Sequence, residues 1–533
     1  MISSSSSSDL SASDFSSTSS DTAKTQRKVK RKNIHGKVKK IIIENRVQNI
    51  MFSNRMDVTT GTSAKKLPQY LAALSVCLGS VAAGTILGWT GTISKALKES
   101  KLNGIEVDDN VLGWISGFAT LGAMLMCFPI GLICDWIGRK WACLLTIIPF
   151  SAGWALVIFS NGSTMIYIGR FLTGLAGGAF CVAAPLYTSE IAETEIRGAL
   201  GSYFQLLLTV GILFSYVFGA ICSPKILSII CAFIPIVFGI VFFFQPETPL
   251  YLLKKGNRTA ALQSLKRLRG AAYDSEKEIR ELQEQLDKNE REKVPFVQAL
   301  QSRAAKKALF ICFGLMTFQQ LSGVNAVIFF MSTIFESAGG SIPADYATIG
   351  VGIVQVVATF ISSLVVDKFG RKILLMSSSF FMALSGAILG VFFTIKNHNL
   401  VDQDTLNKIG FLPIVCLVVF ITVFSLGFGP IPWMASAEIM PPEIKSSAGS
   451  AAATFNWFLA FIITRFYNNL VTAIGGDITF YIFAGISLVG TLFVYISMPE
   501  TKGKTTQEVQ DILNGVKPGT NGVKGLDNPN FKS

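Results

Sequence analysis

A chain of 533 residues that is 50% hydrophobic and only 15% charged, with a mean hydropathy of +0.48, is too apolar for a soluble globular protein. A net charge of +13 would point to nucleic acid in a soluble chain, but here the basic residues sit mostly between and beyond apolar runs, where they read as a topology signal and no nucleic-acid partner is expected. The nine cysteines form no C-x-x-C or Cys/His cluster and the only histidines, His35 and His398, lie outside the runs, so neither a metal nor a disulfide is expected.

In chain order, residues 1–67 are expected to form a cytoplasmic, largely disordered tail. Its first twenty positions are serine-rich, and the basic stretch at 27–32, with Lys37, Lys39 and Lys40 behind it, favours the cytoplasmic side and contact with anionic membrane lipid. Six apolar runs follow at about 68–93, 110–134, 141–160, 164–187, 199–222 and 225–245, each near the roughly 20 residues that span a bilayer. Residues 246–307 are polar and charged. Leu262, Leu265 and Leu268, then Ile279, Leu282 and Leu286, recur there at helical spacing on either side of Gly270, so short amphipathic cytoplasmic helices are expected. Six more runs occupy about 308–335, 344–366, 373–395, 410–435, 447–470 and 478–498, and a polar cytoplasmic tail takes up 499–533. Lys and Arg concentrate in alternate loops, among them Arg139, Lys140, Arg197, Lys368, Arg371, Lys372 and Lys445, which puts both termini inside. The expected fold class is an all-α membrane protein: twelve transmembrane helices in two six-helix halves, 68–245 and 308–498, with a cytoplasmic helical linker between them.

Within the seventh run stand Gln319, Gln320, Ser322, Gly323 and Asn325. Amides at mid-membrane are unfavourable unless they face a cavity or a partner helix, and Gly323 weakens the helix that carries them. A broken, amide-rich span fits a midplane site for a neutral polar solute; the bland alternative is hydrogen bonding across a helix interface. In the tenth run Gly427, Gly429, Pro430 and Pro432 precede Trp433, and a bend or unwound turn is expected there because proline offers no backbone N–H.

Three motifs recur in the same order in the two halves. Asp135, Gly138, Arg139 and Lys140 match Asp367, Gly370, Arg371 and Lys372; Glu190 with Arg197 matches Glu438 with Lys445; Pro246, Glu247 and Thr248 match Pro499, Glu500 and Thr501. A parallel repeat of six helices explains the order. Asp135, Arg139, Glu190, Arg197, Asp367, Arg371 and Glu438 are expected to pair at the inner helix ends. That network would hold when the inner faces of the halves meet and break when they part. Plain topology anchors are the alternative.

These motifs, together with Gly169-Arg170-Phe171-Leu172-Thr173-Gly174, the Gln-Gln-Leu-Ser-Gly-Val-Asn run and Gly429-Pro430-Ile431-Pro432-Trp433, are highly specific: the chain resembles the sugar porters of the major facilitator superfamily over about 68–510, most closely the insect facilitated trehalose and glucose transporters. The resemblance implies the major facilitator fold, a monomeric carrier of the plasma membrane, and a sugar site lined by Gln205, Gln319, Gln320, Asn325, Trp433 and Asn456, with Gln355, Phe329 and Trp457 as further pocket residues. Amides suit sugar hydroxyls because they donate and accept without charge, and Trp433 can cover an apolar sugar face. Phe329 and Phe330 stand where many glucose carriers have tyrosines, Gln355 where they have asparagine, and Ser425 where they have a carboxylate, so trehalose and glucose both remain open. No nucleophile–base pair or metal cluster appears, so neither enzyme activity nor a cofactor is expected. As bounded above, the first six runs hold no Asp or Glu in their interiors, which favours passive uniport; a proton-coupled symporter and a transporter-like sugar sensor are the rivals. In related proton-coupled porters an aspartate of the first span faces the arginine equivalent to Arg170, and the nearest matching position here is Thr90.

Overall fold

The computed structural model describes residues 64–291, 296–339 and 342–515. The basic stretch at 27–32 and the end of the chain beyond 515 lie outside the described residues. Among the described residues, twelve helices are long and apolar enough to cross a membrane: Leu67–Lys98, Asp109–Cys127, Arg139–Ile158, Ser163–Ile191, Arg197–Ile221 and Pro224–Phe243, then Arg303–Phe329, Ala344–Val366, Arg371–Asn397, Gln403–Ile439, Lys445–Ile474 and Gly476–Ser497. They are called spans one to twelve here. Side-chain caps set several starts. Asp108 accepts from the Val111 N–H at 2.6 Å before span two, and Ser302 from that of Ala305 at 3.1 Å before span seven. Span two stops at Cys127 rather than running on to 134, because Pro129 starts a separate helix, Pro129–Ile137.

In the first half, span one packs on span five, span two on span four, and span three on spans four and six; in the second, span nine packs on spans ten and twelve, and span seven on span eleven. The halves meet where span two lies on span eleven and span five on span eight. The two halves differ in their prevailing contacts, although the first also sets the Phe180 ring on Gly79 and the second the Leu374 carbonyl on Gly427. In the first, helix backbones touch: Gly84 lies against the Leu208 carbonyl and Gly174 against that of Ala119, with no room for a methyl group. In the second, aromatic rings fill the same kind of gap, Phe493 against Gly314 and Phe318 against Gly490.

Between the halves run Pro249–Lys254, Arg258–Arg269, Ser275–Arg291 and Phe296–Gln301. Leu253, Ala261, Leu265 and Ile279 form a small core of their own, with Leu262, Leu282 and Leu286 packed around it. The first three of these helices therefore cover one another's apolar faces in part, while Leu268 and Ala299 join the main core. The last described stretch is not all tail. Thr505 and Glu508 form a capping box that starts a helix, Thr506–Asn514, whose Val509 and Leu513 are buried. Its Gln510 Nε2 donates to the carbonyl of Ile439, the last residue of span ten, at 2.6 Å. Arg269 of the linker treats the last residue of span four alike, donating to the Ile191 carbonyl at 2.7 Å. Each half thus has a following helix that caps its fourth span.

Candidate functional site

Spans seven and ten are both broken, and the breaks are bonded to each other. Span seven stops at Leu321, Gly323 takes φ +85°, and helix resumes as Val324–Phe329 and again as Met331–Ala338. Span ten runs as Leu412–Leu426, opens over 427–430, and resumes as Ile431–Ile439. Pro430 and Pro432 have no N–H to offer the carbonyls of Leu426 and Phe428 four residues back. Other spans answer both. The Ser362 hydroxyl of span eight donates to the Leu426 carbonyl at 3.2 Å, and Gln319 Nε2 of span seven donates to the carbonyls of Phe428 and Gly429 at 2.6 and 2.9 Å. Ser378 of span nine accepts from the Phe428 N–H at 3.1 Å. The expected unwound turn is therefore held by three neighbouring spans.

From Gln319 the amides form a chain. Asn456 Nδ2 donates to Gln319 Oε1 at 2.7 Å, Gln320 Nε2 to Asn456 Oδ1 at 2.9 Å, and Asn325 Nδ2 to Gln320 Oε1 at 2.6 Å. All four residues are buried. An amide has two N–H donors and an oxygen with two lone pairs. Among the described residues nothing further bonds the second N–H of Gln320, the second N–H of Asn325 or the Asn325 Oδ1, which leaves both kinds of group at one end of the chain.

The structure thus brings together Gln319, Gln320, Asn325 and Asn456 of the expected residues. Gln205 is partly exposed on span five, Trp433 partly buried on span ten, and Gln355 buried on span eight; none of the three joins the amide chain. Phe329 is fully buried. Trp457 reaches across to the first half, bordering a small cavity with Ala83, Ile86, Ala119 and Gly174, and its indole N–H has no partner.

At the linker face the repeat is visible as geometry. Arg139 pairs with Glu190 at 2.9 Å and with the exposed Asp135 at 3.0 Å; Arg371 pairs with Glu438 at 2.9 Å. Gly138 and Gly370 make the turn with φ +103° and +87°. The P-E-T segments complete each network. Glu247 accepts from the backbone N–H groups of Arg139 and Lys140, as Glu500 does from those of Arg371 and Lys372. Thr248 donates to Glu190 and Thr501 to Glu438, both at 2.5 Å. Burial is the largest influence on both capping carboxyls. It holds Glu247 above its ordinary range, whereas at Glu500 the backbone N–H bonds prevail and hold it below.

These ion pairs join neighbouring helix ends inside each half. Arg197 stands apart from them, exposed and, among the described residues, bonded to the Ala192 carbonyl at 3.4 Å. The side chain of Asp367 lies outside the described residues.

Bonds between the halves lie toward the opposite face. Tyr216 of span five donates to the Ile328 carbonyl at 2.9 Å, and Thr120 meets Thr464 at 3.1 Å. Arg465 of span eleven rests on the Trp114 ring at 4.2 Å, donates to Asn110 at 2.7 Å and fits against Gly113 and Gly117 of span two. Hydrogen bonds to a charged group contribute about 1.5–3 kcal/mol. Arg465→Leu is therefore expected to loosen this face, raising the labelling rate of a Thr464→Cys probe by an impermeant thiol reagent from that side about tenfold; an unchanged rate would mean that Arg465 does not hold the halves together.

A family model described as sugar (and other) transporter matches residues 61–513. The chain belongs to the sugar transporter family. A facilitated trehalose transporter Tret1-2 homolog of Drosophila simulans is 37% identical over 451 residues, 84% of this chain and 92% of that protein. The facilitated trehalose transporter Tret1 of Anopheles gambiae is 37% identical over 448 residues, 84% of this chain but 56% of that longer relative. The xylose transporter XylE from E. coli, in a partially occluded inward-open conformation, superposes with a TM-score of 0.68 at 19% identity, over 82% of this chain and 99% of that one. This likeness establishes the major facilitator fold.

Several residues that matter to the geometry of this sugar transporter family member carry little functional signal in the sequence. Glu247, Glu500, Thr248 and Thr501 were visible only as repeat markers. Ser362 and Ser378 carry no motif at all. The Trp89 ring, next to Thr90, lies over Arg170 at 5.1 Å.

Proposed function

We propose that this sugar transporter family member is a facilitative carrier of a small neutral sugar, trehalose or glucose, which passes down its gradient as the two halves rock about a central site. The named trehalose-transporting relatives support the substrate class. The observation that carries the reading is the buried amide chain, which leaves uncharged donors and an acceptor at Gln320 and Asn325. We assign sugar contacts to those two residues, to Asn456 and Gln319 as their supports, and to Gln205, Gln355, Trp433 and Trp457 around them. A polyol matches this set because each hydroxyl both donates and accepts.

Passive transport follows from where the carboxylates stand. Asp109, Glu190, Asp345, Asp404, Glu438 and Asp477 are the acidic residues inside the twelve span bounds, and each occupies one of the first two or last two positions of its span. A proton cycle needs a titratable group near the substrate path. The arginines inside the membrane stay charged. We place the carrier in the plasma membrane as a monomer with both termini and the 246–307 linker cytoplasmic, in line with the distribution of Lys and Arg.

The test is counterflow in liposomes with a panel of labelled sugars, followed by uptake under an imposed proton or sodium gradient. Exchange of trehalose or glucose, with no accumulation above equilibrium, is expected. Accumulation abolished by an ionophore would establish the symporter instead, and binding without exchange would establish a sensor.

A further inference from the structure

Arg170 is a buried cation that neither the amide chain nor the linker-face networks use. It is fully buried in span four, and among the described residues no carboxylate stands against it. Its Nε and Nη2 donate to the carbonyls of Ile115 and Ile86 at 3.3 and 2.8 Å, and its guanidinium lies over the Trp89 ring. Its Nη1 has no partner. Three groups on the spans packed against span four share that condition: the hydroxyl of Thr90, one turn on from Ile86; the hydroxyl of Ser116, next to Ile115; and the indole N–H of Trp154, whose ring packs edge-on against Trp89 with centroids 6.1 Å apart.

The four groups have one property in common. Guanidinium and indole nitrogens only donate, and each hydroxyl has a proton to give. A lone charge in a low-dielectric interior is strongly unfavourable without a counter-charge. Arginine does not escape by losing its proton. Water would bring an acceptor but no charge.

We propose that a small inorganic anion, a halide of the size of chloride, binds inside the first half against Arg170, with Thr90, Ser116 and Trp154 as its other donors. The ligands come from spans one to four, and none of those spans contributes to the amide chain. The anion is therefore structural: it fixes spans one to four around a cation and leaves the sugar path unchanged.

The test uses the purified full-length carrier, exchanged into sodium gluconate and titrated with sodium chloride at constant ionic strength, with thermal unfolding as the readout. Chloride should raise the midpoint saturably, and bromide should do the same. Combining Thr90→Val with Ser116→Ala, which keep the side-chain shapes, should raise the half-saturating chloride concentration tenfold or more, and Arg170→Met should abolish the response. Bromide-soaked crystals should show an anomalous peak beside Arg170. Identical midpoints in gluconate and chloride, or a chloride response that survives in the variants, would overturn the proposal. Should Arg170→Met fail to fold, the Thr90/Ser116 double variant decides alone.

Discussion

Replacing Gln319 with leucine should reduce the transport rate more than tenfold while the carrier still reaches the membrane. Gln319 is the link between the amide chain and the break in span ten. Its Nε2 serves two carbonyls, Phe428 and Gly429, and its Oε1 receives Asn456. The Phe428 carbonyl cannot return to a helical bond, because its partner position is Pro432. Leucine fills the volume and removes all three bonds. A buried polar group without a partner costs about 1–3 kcal/mol, so roughly 3 kcal/mol or more falls on this one turn. The turn should then settle in another geometry and carry Trp433 with it. Initial-rate uptake in liposomes measures the effect. Ser362→Ala is the matched control, since it removes a single bond of 3.2 Å to the same break and should change the rate about threefold or less. Wild-type uptake by the Gln319 variant would show that the span-ten break does not need its clamp.

The second large effect is expected at the linker face. Arg139→Ala leaves Glu190 buried with only the Thr248 hydroxyl beside it, and breaking a buried ion pair in this way costs about 3–5 kcal/mol. Arg371→Ala should cost less, because the Glu438 side chain is 30% exposed against 6% for Glu190. Each network belongs to its own half, so the double variant should lose the sum of the single losses to within about 0.5 kcal/mol. Unfolding of the four purified proteins supplies the cycle. A coupling above about 1 kcal/mol would mean that the two networks communicate across the halves.

Features with a backbone cause were legible from the residues alone. Gly323, Pro430 and Pro432 act on their own turn, so the breaks in spans seven and ten could be placed without tertiary knowledge. The same holds for the glycine turns at Gly138 and Gly370, and for the paired apolar faces of the linker helices. What stayed hidden is where long side chains end. Gln319 reads as a sugar contact, but more than one hundred residues separate it from the carbonyls that take its donors. Glu247 meets the Arg139 turn over a similar separation. The family match placed Thr90 nearest to Arg170, but it carries no sign that the neighbouring Trp89 ring lies over the guanidinium. Serines 362 and 378 look like any serine on an apolar helix until the carbonyl or N–H they serve is known.

The different packing of the two halves bears on how each tolerates change. Where the Gly84 and Gly174 backbones touch Leu208 and Ala119, nothing can rotate aside, and the helices must stay in register or separate. Where Phe493 lies on Gly314 and Phe318 on Gly490, a ring can swing to a new rotamer and the helices can slide. The first half should therefore travel as a stiff frame and the second should flex, with spans seven and ten supplying its hinges. Under random substitution the frame should keep its glycines and vary mainly on its lipid-facing surface. The flexing half should exchange one aromatic for another and drift in shape, and new substrate preferences would arise there first.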